Sequence, residues 1–320
     1  MSAMIEIQGL HKQYGRRKAV DDVSMTIENG EIFGLVGPNG AGKTTTMRML
    51  VTLLKADKGE IHVGGYSVRK APREVRRQIG FMPDNFGVYG DLTVQEYLDF
   101  FGACYAIAPA QRPTLIADLL ELVDLTHRRN DMVDTLSRGL KQRLGLARVL
   151  IHDPAVLVLD EPASGLDPRA RVEIRELLLE VSRLGKTILF SSHILADVAE
   201  LCTRVGIMEN GQLVALGALD QLTERVVPHR LLNIGLLKES DAEKAQAILT
   251  AWPGISAVRR QDGLGRAERI ELEADFSGDD KALYELLAHL LAQGVPVVHF
   301  SEDTQNLEEV FMRATRGIVS

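Results

Sequence analysis

The chain has 320 residues, which is long for one globular domain and natural for two. Its net charge of −7, from 37 basic and 44 acidic residues, gives no reason to expect nucleic acid as the main partner. The sequence has no apolar stretch near the roughly 18 residues of a membrane span, no signal-peptide layout and only two distant cysteines, Cys104 and Cys202. These features predict a cytosolic protein and leave open its attachment to a membrane through partners.

The first 28 residues predict two strands and a loop. Residues 4–10 and 22–28 alternate polar and apolar side chains, as half-buried strands do. Residues 11–18 between them predict a polar loop that carries Tyr14. The aromatic ring of Tyr14 has two interpretations, a stacking partner for a nucleobase and an ordinary surface tyrosine in a hairpin.

A phosphate-binding pattern follows. Residues 32–36 are an apolar strand, and Gly37 to Thr44 match G-x-x-x-x-G-K-[ST] before a helical stretch, as the P-loop interpretation requires. Glycines let successive N–H groups point at phosphate oxygens, and the helix adds its positive end. Lys43 supplies a charge for the β- and γ-phosphates, and the Thr44 hydroxyl a ligand for Mg²⁺. The predicted nucleoside-triphosphate site comprises Gly37, Pro38, Asn39, Gly40, Ala41, Gly42, Lys43, Thr44 and Thr45.

The next segment is rich in aromatic residues. After a predicted turn (56–60), strand (60–63), helix (71–78) and strand (79–82), residues 81–105 hold seven of the 16 aromatics. These are Phe81, Phe86, Tyr89, Tyr97, Phe100, Phe101 and Tyr105. They fit either the core of a small helical subdomain or an exposed patch that docks a partner. Three helices are predicted there, near 93–106, 112–125 and 137–152, and Ser137 is placed to cap the third.

Two further apolar strands end in polar residues. The run 156–159 is followed by Asp160 and Glu161, and two carboxylates at the end of a buried strand are costly unless they bind something. Asp160 fits an acid that holds Mg²⁺ and Glu161 a base for water, the alternative being solvated loop acids. The run 187–192 ends at His193, for which a structural and a catalytic role are both open.

The rest of the chain divides near residue 217. A turn at 164–168, helices at 169–184 and 194–202, and strands at 204–208 and 212–216 complete the first part. A short helix and connector over 218–230 lead to a β-α-β-β-α-β pattern, the split βαβ arrangement. Its predicted elements are strands at 231–237, 255–261, 268–274 and 295–300, helices at 241–252 and 279–293, a turn at 263–265 and a last helix at 306–315.

Taken together, these motifs resemble the ATP-binding subunit of an ABC transporter over about residues 4–220. Tyr14 matches the adenine-stacking aromatic and Gly37–Thr44 Walker A. The later motifs match in the family's order: residues 136–143 the signature helix, 157–161 Walker B, 164–167 the D-loop and His193 the switch histidine. The tail is similar to that of bacterial drug, polysaccharide and ion exporters. The resemblance implies an α/β P-loop ATPase domain (1–220) with a helical subdomain (about 84–150), and an accessory α+β domain (221–320).

The resemblance also implies a mechanism. Head-to-tail homodimers would enclose two ATP molecules with Mg²⁺, each between Walker A and B of one chain and Ser137, Gly139 and Asp167 of the other. Glu161, His193 and Lys43 would act in hydrolysis, which would power export through separate transmembrane permease subunits at the inner face of the cell membrane. The alternative is a soluble ABC ATPase without a transport role.

Two positions depart from the family pattern. Asp84 stands where the family usually has the Q-loop glutamine, and it keeps an oxygen that can reach Mg²⁺ or water. The signature is Leu136-Ser-Arg-Gly-Leu instead of Leu-Ser-Gly-Gly-Gln, which places Arg138 beside the site. Arg138 either aids ATP binding or faces solvent.

Overall fold

The computed structural model describes residues 3–85, 87–219, 230–261 and 270–303. The chain forms two compact units, Met1–Leu219 and Asp220–Ser320. Both contain strands and helices, and each has a hydrophobic core of its own.

The first unit contains ten strands and seven α-helices among the described residues. The strands are β1 (Ala3–Tyr14), β2 (Arg17–Glu28), β3 (Ile32–Val36), β4 (Lys58–Val63), β5 (Tyr66–Ser67), β6 (Ile79–Met82), β7 (Val156–Leu159), β8 (Thr187–Ser192), β9 (Arg204–Glu209) and β10 (Gln212–Ala218). The helices are α1 (Lys43–Leu50), α2 (Pro72–Gln78), α3 (Val94–Cys104), α4 (Arg112–Leu122), α5 (Arg138–Leu150), α6 (Pro168–Arg183) and α7 (Leu195–Leu201).

The central sheet has six strands in the order β10-β9-β3-β8-β7-β6. All neighbours are parallel except β10, which pairs antiparallel with β9 through the hairpin at Asn210 and Gly211. Every residue of β3, β7 and β8 is buried, as expected for apolar runs covered on both faces. Because β3, β6, β7 and β8 are parallel, the loops after their carboxyl ends lie at one edge of the sheet.

The second sheet of this unit is antiparallel, in the order β2-β1-β4-β5. The predicted loop over residues 11–18 is wrong, because β1 continues to Tyr14 and β2 begins at Arg17. Backbone pairing such as Tyr14 with Arg17 needs no apolar side chain, so a polar hairpin end is invisible to a hydrophobic pattern. The strand predicted at 60–63 likewise begins earlier, at Lys58, inside the predicted turn.

The chain segment between β6 and β7 contains helices α3, α4 and α5, which pack on one another. The core interpretation of the aromatic segment holds for Tyr97, whereas the docking interpretation stays a prediction for the exposed residues. The ring of Tyr97 is fully buried and lies 5.0 Å from that of Phe101, whereas Tyr89, Phe100 and Tyr105 are exposed. Phe86 lies outside the described residues. We refer to Tyr89, Phe100 and Tyr105 as the aromatic surface.

The second unit has the predicted β-α-β-β-α-β order. It comprises β11 (Arg230–Leu236), α8 (Ala242–Ala251), β12 (Ile255–Gln261), β13 (Ile270–Phe276), α9 (Asp280–Ala292) and β14 (Val297–Asp303). The antiparallel sheet order β12-β13-β11-β14 is that of the split βαβ fold. The core includes Leu232, Leu272 and Leu286, with Trp252 packed against it. The elements predicted at 263–265 and 306–315, and the connector over 220–229, lie outside the described residues.

Candidate functional site

The loop from Gly37 to Gly42 joins β3 to α1 and requires its glycines. A Cβ atom on Gly37 would lie 2.3 Å from the carbonyl oxygen of Met208, which is closer than atoms can approach. Gly42 has a φ of 108°, and a Cβ there would lie 2.5 Å from the carbonyl oxygen of Ala19. The sequence pattern therefore follows from backbone geometry as well as from phosphate binding.

Lys43, at the start of α1, directs its buried ammonium group into this loop. Its Nζ donates to the carbonyl oxygen of Gly37 at 2.5 Å and lies 3.4 Å from Oε1 of Glu161. The side chain is only 6% exposed. A cation held by the loop and facing the carboxylate after β7 lies where the P-loop pattern expects the phosphate-binding charge.

The carboxylate of Asp160 lies next to the P-loop, at the end of β7. It is 2% exposed, and its Oδ1 accepts hydrogen bonds from Ser191 Oγ at 2.6 Å and Thr44 Oγ1 at 3.2 Å. Two predicted metal ligands that are far apart in sequence, Thr44 and Asp160, are thus brought together. Within the described residues no cluster of three or more His, Cys, Asp or Glu could hold a metal by itself.

Glu161 has an unusual backbone conformation for a non-glycine residue, with a φ of 52°. Its N–H donates to Ser191 Oγ at 2.9 Å, and its Oε2 lies 2.6 Å from Nδ1 of His193, just beyond β8. The carboxylate therefore lies between Lys43 and His193. This juxtaposition favours the catalytic interpretation of His193 over the structural one, without testing it.

Most of the predicted site residues line one hollow, which we call the P-loop hollow. It is lined by Tyr14, Arg17, Ala19, Pro38 to Thr45, Asp84, Glu161, Ser164 and His193. Tyr14 is 52% exposed at the end of β1, with Lys12 Nζ 5.7 Å from its ring centre. An exposed ring beside the P-loop is available for stacking on a base. Asp84 is exposed and lines the same hollow.

Ser137, Gly139 and Asp167 do not line the P-loop hollow. They line a second hollow together with Arg138, Gly165 and residues of α6, which we call the Ser137 hollow. Ser137 caps α5, its Oγ accepting from the Leu140 N–H, and Asp167 caps α6 in the same way. The predicted site residues thus form two separate groups on one chain.

Arg138 is exposed and also contacts the loop before α6. A Cβ atom built on Gly165 would lie 2.4 Å from Nη1 of Arg138, so the guanidinium rests directly over this glycine. Gly165 has a φ of 67°, and this left-handed conformation favours glycine. Arg138 therefore links the start of α5 to the loop before α6.

Three further residues contribute to these sites and were not predicted. Ser191 holds Asp160 and the Glu161 N–H, and Arg17 donates to the carbonyl oxygen of Gly40 at 3.3 Å on the rim of the P-loop hollow. Gln142 is buried on α5 and donates to the carbonyl oxygen of Pro162 at 2.6 Å. Ser191 and Gln142 are polar residues within otherwise buried segments, and that signal was available in the sequence.

Known proteins match this chain in sequence. Residues 20–164 match the family model described as ABC transporter. The linearmycin resistance ATP-binding protein LnrL of Bacillus subtilis (strain 168) is 32% identical over 314 residues, covering 98% of each chain. The chain belongs to the ABC transporter family. A Nod factor export ATP-binding protein I of Burkholderia orbicola (strain AU 1054) is 34% identical over 98% of this chain and 97% of its own.

The fold is that of an ABC ATPase. A dimeric ATP-binding cassette solved with ADP and Pi aligns with a TM-score of 0.62 and 25% identity, over 68% of this chain and 99% of the other. This ABC ATPase binds ATP, and its activity is ATP hydrolysis coupled to transport, so the alternative of a soluble ABC ATPase is not favoured. Its described residues contain no helix long and apolar enough to cross a membrane.

Proposed function

We propose that this chain is the ATP-hydrolysing subunit of an exporter, acting as a head-to-tail homodimer on separate transmembrane permease subunits at the inner face of the cell membrane. The observation that carries the proposal is the division of the site residues into two hollows. The P-loop hollow has the phosphate-binding loop and Glu161. The Ser137 hollow has a capped helix start, which favours anions but lacks the lysine.

Joining the P-loop hollow of one chain to the Ser137 hollow of the other completes each site. The N–H groups at the start of α5 would then face the γ-phosphate, which exists only before hydrolysis. Because ATP would bind the closed dimer more tightly than the open one, ATP favours closure and hydrolysis releases it.

Within each site, the residues have distinct roles. Tyr14 stacks on adenine, the P-loop N–H groups bind the phosphates and Lys43 neutralises their charge. Glu161 polarises the attacking water, and His193, 2.6 Å from its carboxylate, positions the water and the γ-phosphate. These contacts stabilise charge that increases in the transition state.

Thr44 and Asp160 are the residues that would hold Mg²⁺, with Asp84 as a third oxygen ligand. The hydroxyl and carboxylate oxygens lie 3.2 Å apart, and Mg²⁺ typically binds one or two carboxylates, waters and phosphates. A site without a protein-only metal cluster fits this chemistry. When bound, Mg²⁺ neutralises charge on the phosphate oxygens.

The permease would dock on the aromatic surface of the helical subdomain. Exposed aromatic rings are typical of interaction sites, and the exposed rings of Tyr89 and Phe100 lie 5.2 Å apart. The direction of transport rests on the relatives: the Burkholderia protein is named for Nod factor export.

The test of hydrolysis and dimer formation is Glu161→Gln. We expect kcat to fall by about 10²- to 10⁴-fold, the contribution typical of a general base, while ATP still binds and ATP-dependent dimers accumulate. ATP turnover and sedimentation velocity measure the two effects. Glu180→Gln is the control, because Glu180 forms an exposed ion pair with Arg183 away from both hollows. Wild-type turnover by Glu161→Gln would refute the assigned base.

The test of docking is detergent co-purification from native membranes, with identification of the captured protein by mass spectrometry. We expect a polytopic membrane protein with the wild-type chain and its loss with Tyr89→Asp and Phe100→Asp combined. Tyr284→Asp is the control, since Tyr284 is 72% exposed in the second unit. Undiminished capture by the double variant would refute docking at the aromatic surface.

A further inference from the structure

Gln142 connects the signature helix to the loop that carries the proposed catalytic base. It lies on α5 and is 7% exposed, and its Nε2 donates to the carbonyl oxygen of Pro162 at 2.6 Å. Pro162 directly follows Glu161. A buried amide that donates a short hydrogen bond fixes its acceptor more firmly than an exposed one does.

The Pro162 carbonyl belongs to a loop that has an unfavourable backbone conformation at Glu161. We call residues 161–167 the Glu161 loop. The left-handed conformation of Glu161 is costly for a residue with a Cβ atom and persists only where neighbouring contacts hold it. Two hydrogen bonds involve the backbone of Glu161 itself: its N–H donates to Ser191 Oγ at 2.9 Å, and its carbonyl oxygen accepts from the Ser164 N–H at 3.1 Å. The bond from Gln142 is a third anchor, and it comes from a different element.

Helix α5, which carries Gln142, begins at the Ser137 hollow. Gln142 is five residues after Ser137, which corresponds to about 7.5 Å along a helix. Arg143 fixes α5 to its surroundings, because its guanidinium pairs with Glu173 on α6 at 2.5 Å and with Asp124 after α4 at 3.1 Å. One rigid element therefore contacts both the surface that would meet the partner's nucleotide and the loop of its own Glu161.

We propose that Gln142 is a positioning residue. When the partner's nucleotide binds at the start of α5, Gln142 aligns Glu161 of its own chain with the attacking water through the hydrogen bond to the Pro162 carbonyl. The inference rests on the head-to-tail dimer proposed above. Gln142 lines neither the P-loop hollow nor the Ser137 hollow, and it acts through the backbone of the Glu161 loop. Hydrolysis in one ATP site of the dimer therefore depends on the nucleotide bound in the other site.

The first test removes the donor. Gln142→Met keeps a long side chain of similar volume but has no N–H group, and we expect kcat to fall about tenfold while KM for ATP changes by less than about twofold. Gln95→Met is the matched control, since Gln95 Oε1 accepts from Arg129 Nε at 2.8 Å, away from both hollows and the Glu161 loop. Unchanged kcat in a folded Gln142→Met variant overturns the proposal.

The second test restores the donor by pH. In Gln142→Glu the buried carboxyl can donate to the Pro162 carbonyl only when it is protonated, and burial raises the pKa of such a group. We therefore expect kcat, relative to wild type, to rise as the pH is lowered from about 8 to about 6. A ratio that stays flat over this range overturns the role of the hydrogen bond, because packing alone does not titrate.

The third test separates action within a chain from action across the dimer. Mixed dimers with two affinity tags carry Glu161→Gln in one chain, so that the other chain holds the single active base. We expect Gln142→Met in the active chain to reduce turnover about tenfold, and the same change in the Glu161→Gln chain to reduce it less than about twofold. The reverse pattern overturns the proposal. Ser137→Ala in the Glu161→Gln chain tests the dimer itself, since no effect there means that the head-to-tail arrangement is wrong.

Discussion

Replacing Ser191 by alanine removes one hydroxyl from the centre of the site. The Oγ atom donates to Asp160 at 2.6 Å and accepts from the Glu161 N–H at 2.9 Å, so one substitution leaves two groups without this partner. A hydrogen bond to a charged group contributes about 1.5–3 kcal/mol and an ordinary one about 1 kcal/mol. We therefore expect the free energy of unfolding to fall by about 3 kcal/mol.

This change is large enough to measure in the ATP-binding unit alone. In a unit of this size it lowers the unfolding midpoint by about 6–12 °C. The chain has a single tryptophan, Trp252, which packs against the core of the second unit. Tryptophan fluorescence therefore follows the second unit, whereas calorimetry records both, and we expect the fluorescence midpoint to stay unchanged.

Thr46→Val is the matched control for Ser191→Ala. Thr46 is fully buried, and its Oγ1 has no hydrogen-bond partner in the described part of the chain. Replacing this hydroxyl by a methyl group should leave the midpoint unchanged or raise it, because a buried polar group without a partner is destabilising. If Ser191→Ala shifted the midpoint no more than Thr46→Val, the Ser191 hydrogen bonds would not stabilise the site.

Two further substitutions test the backbone and the pH response. Gly42→Ala should lower the free energy of unfolding more than Gly185→Ala, since both glycines have a positive φ but only at Gly42 would the added Cβ meet a backbone oxygen, that of Ala19. Thermal unfolding of the two variants checks this, and equal losses would contradict it. Burial lowers the pKa of His152, whose Nδ1 has no hydrogen-bond partner among the described residues. As the pH falls, His152 therefore binds a proton in the unfolded chain before it does so in the folded one, and the free energy of unfolding falls below about pH 6.5. Urea unfolding at about pH 7.5 and about pH 5.5 should show that the free energy of unfolding falls less for His152→Gln than for the wild type between these two pH values. An equal fall in both proteins would assign the pH dependence to other groups.

The sequence predicts most of the first unit because its strands are continuous apolar runs. β3, β7 and β8 lie where the pattern places them, and the polar residues at their carboxyl ends meet at one sheet edge. The hairpin end at residues 11–18 was missed because backbone pairing there leaves no hydrophobic pattern.

The contacts within the site are harder to predict. Ser191 and Asp160 are 31 residues apart, and Gln142 and Pro162 are 20 apart, so neither bond follows from local periodicity. A buried polar residue signals that a partner exists without indicating which one. The assigned roles of Glu161, His193 and Ser137 in catalysis stay predictions, supported by their positions in the two hollows.

The unequal environments of the two cysteines give this protein a natural site for chemical labelling. Cys202 is buried, and burial raises the pKa of its thiol well above the ordinary value, which keeps it protonated and unreactive. Cys104 is exposed and ends α3, next to Tyr105 of the aromatic surface. A thiol-reactive fluorophore can thus be attached at one known position without removing any residue, and its emission would report directly whether a permease covers that surface.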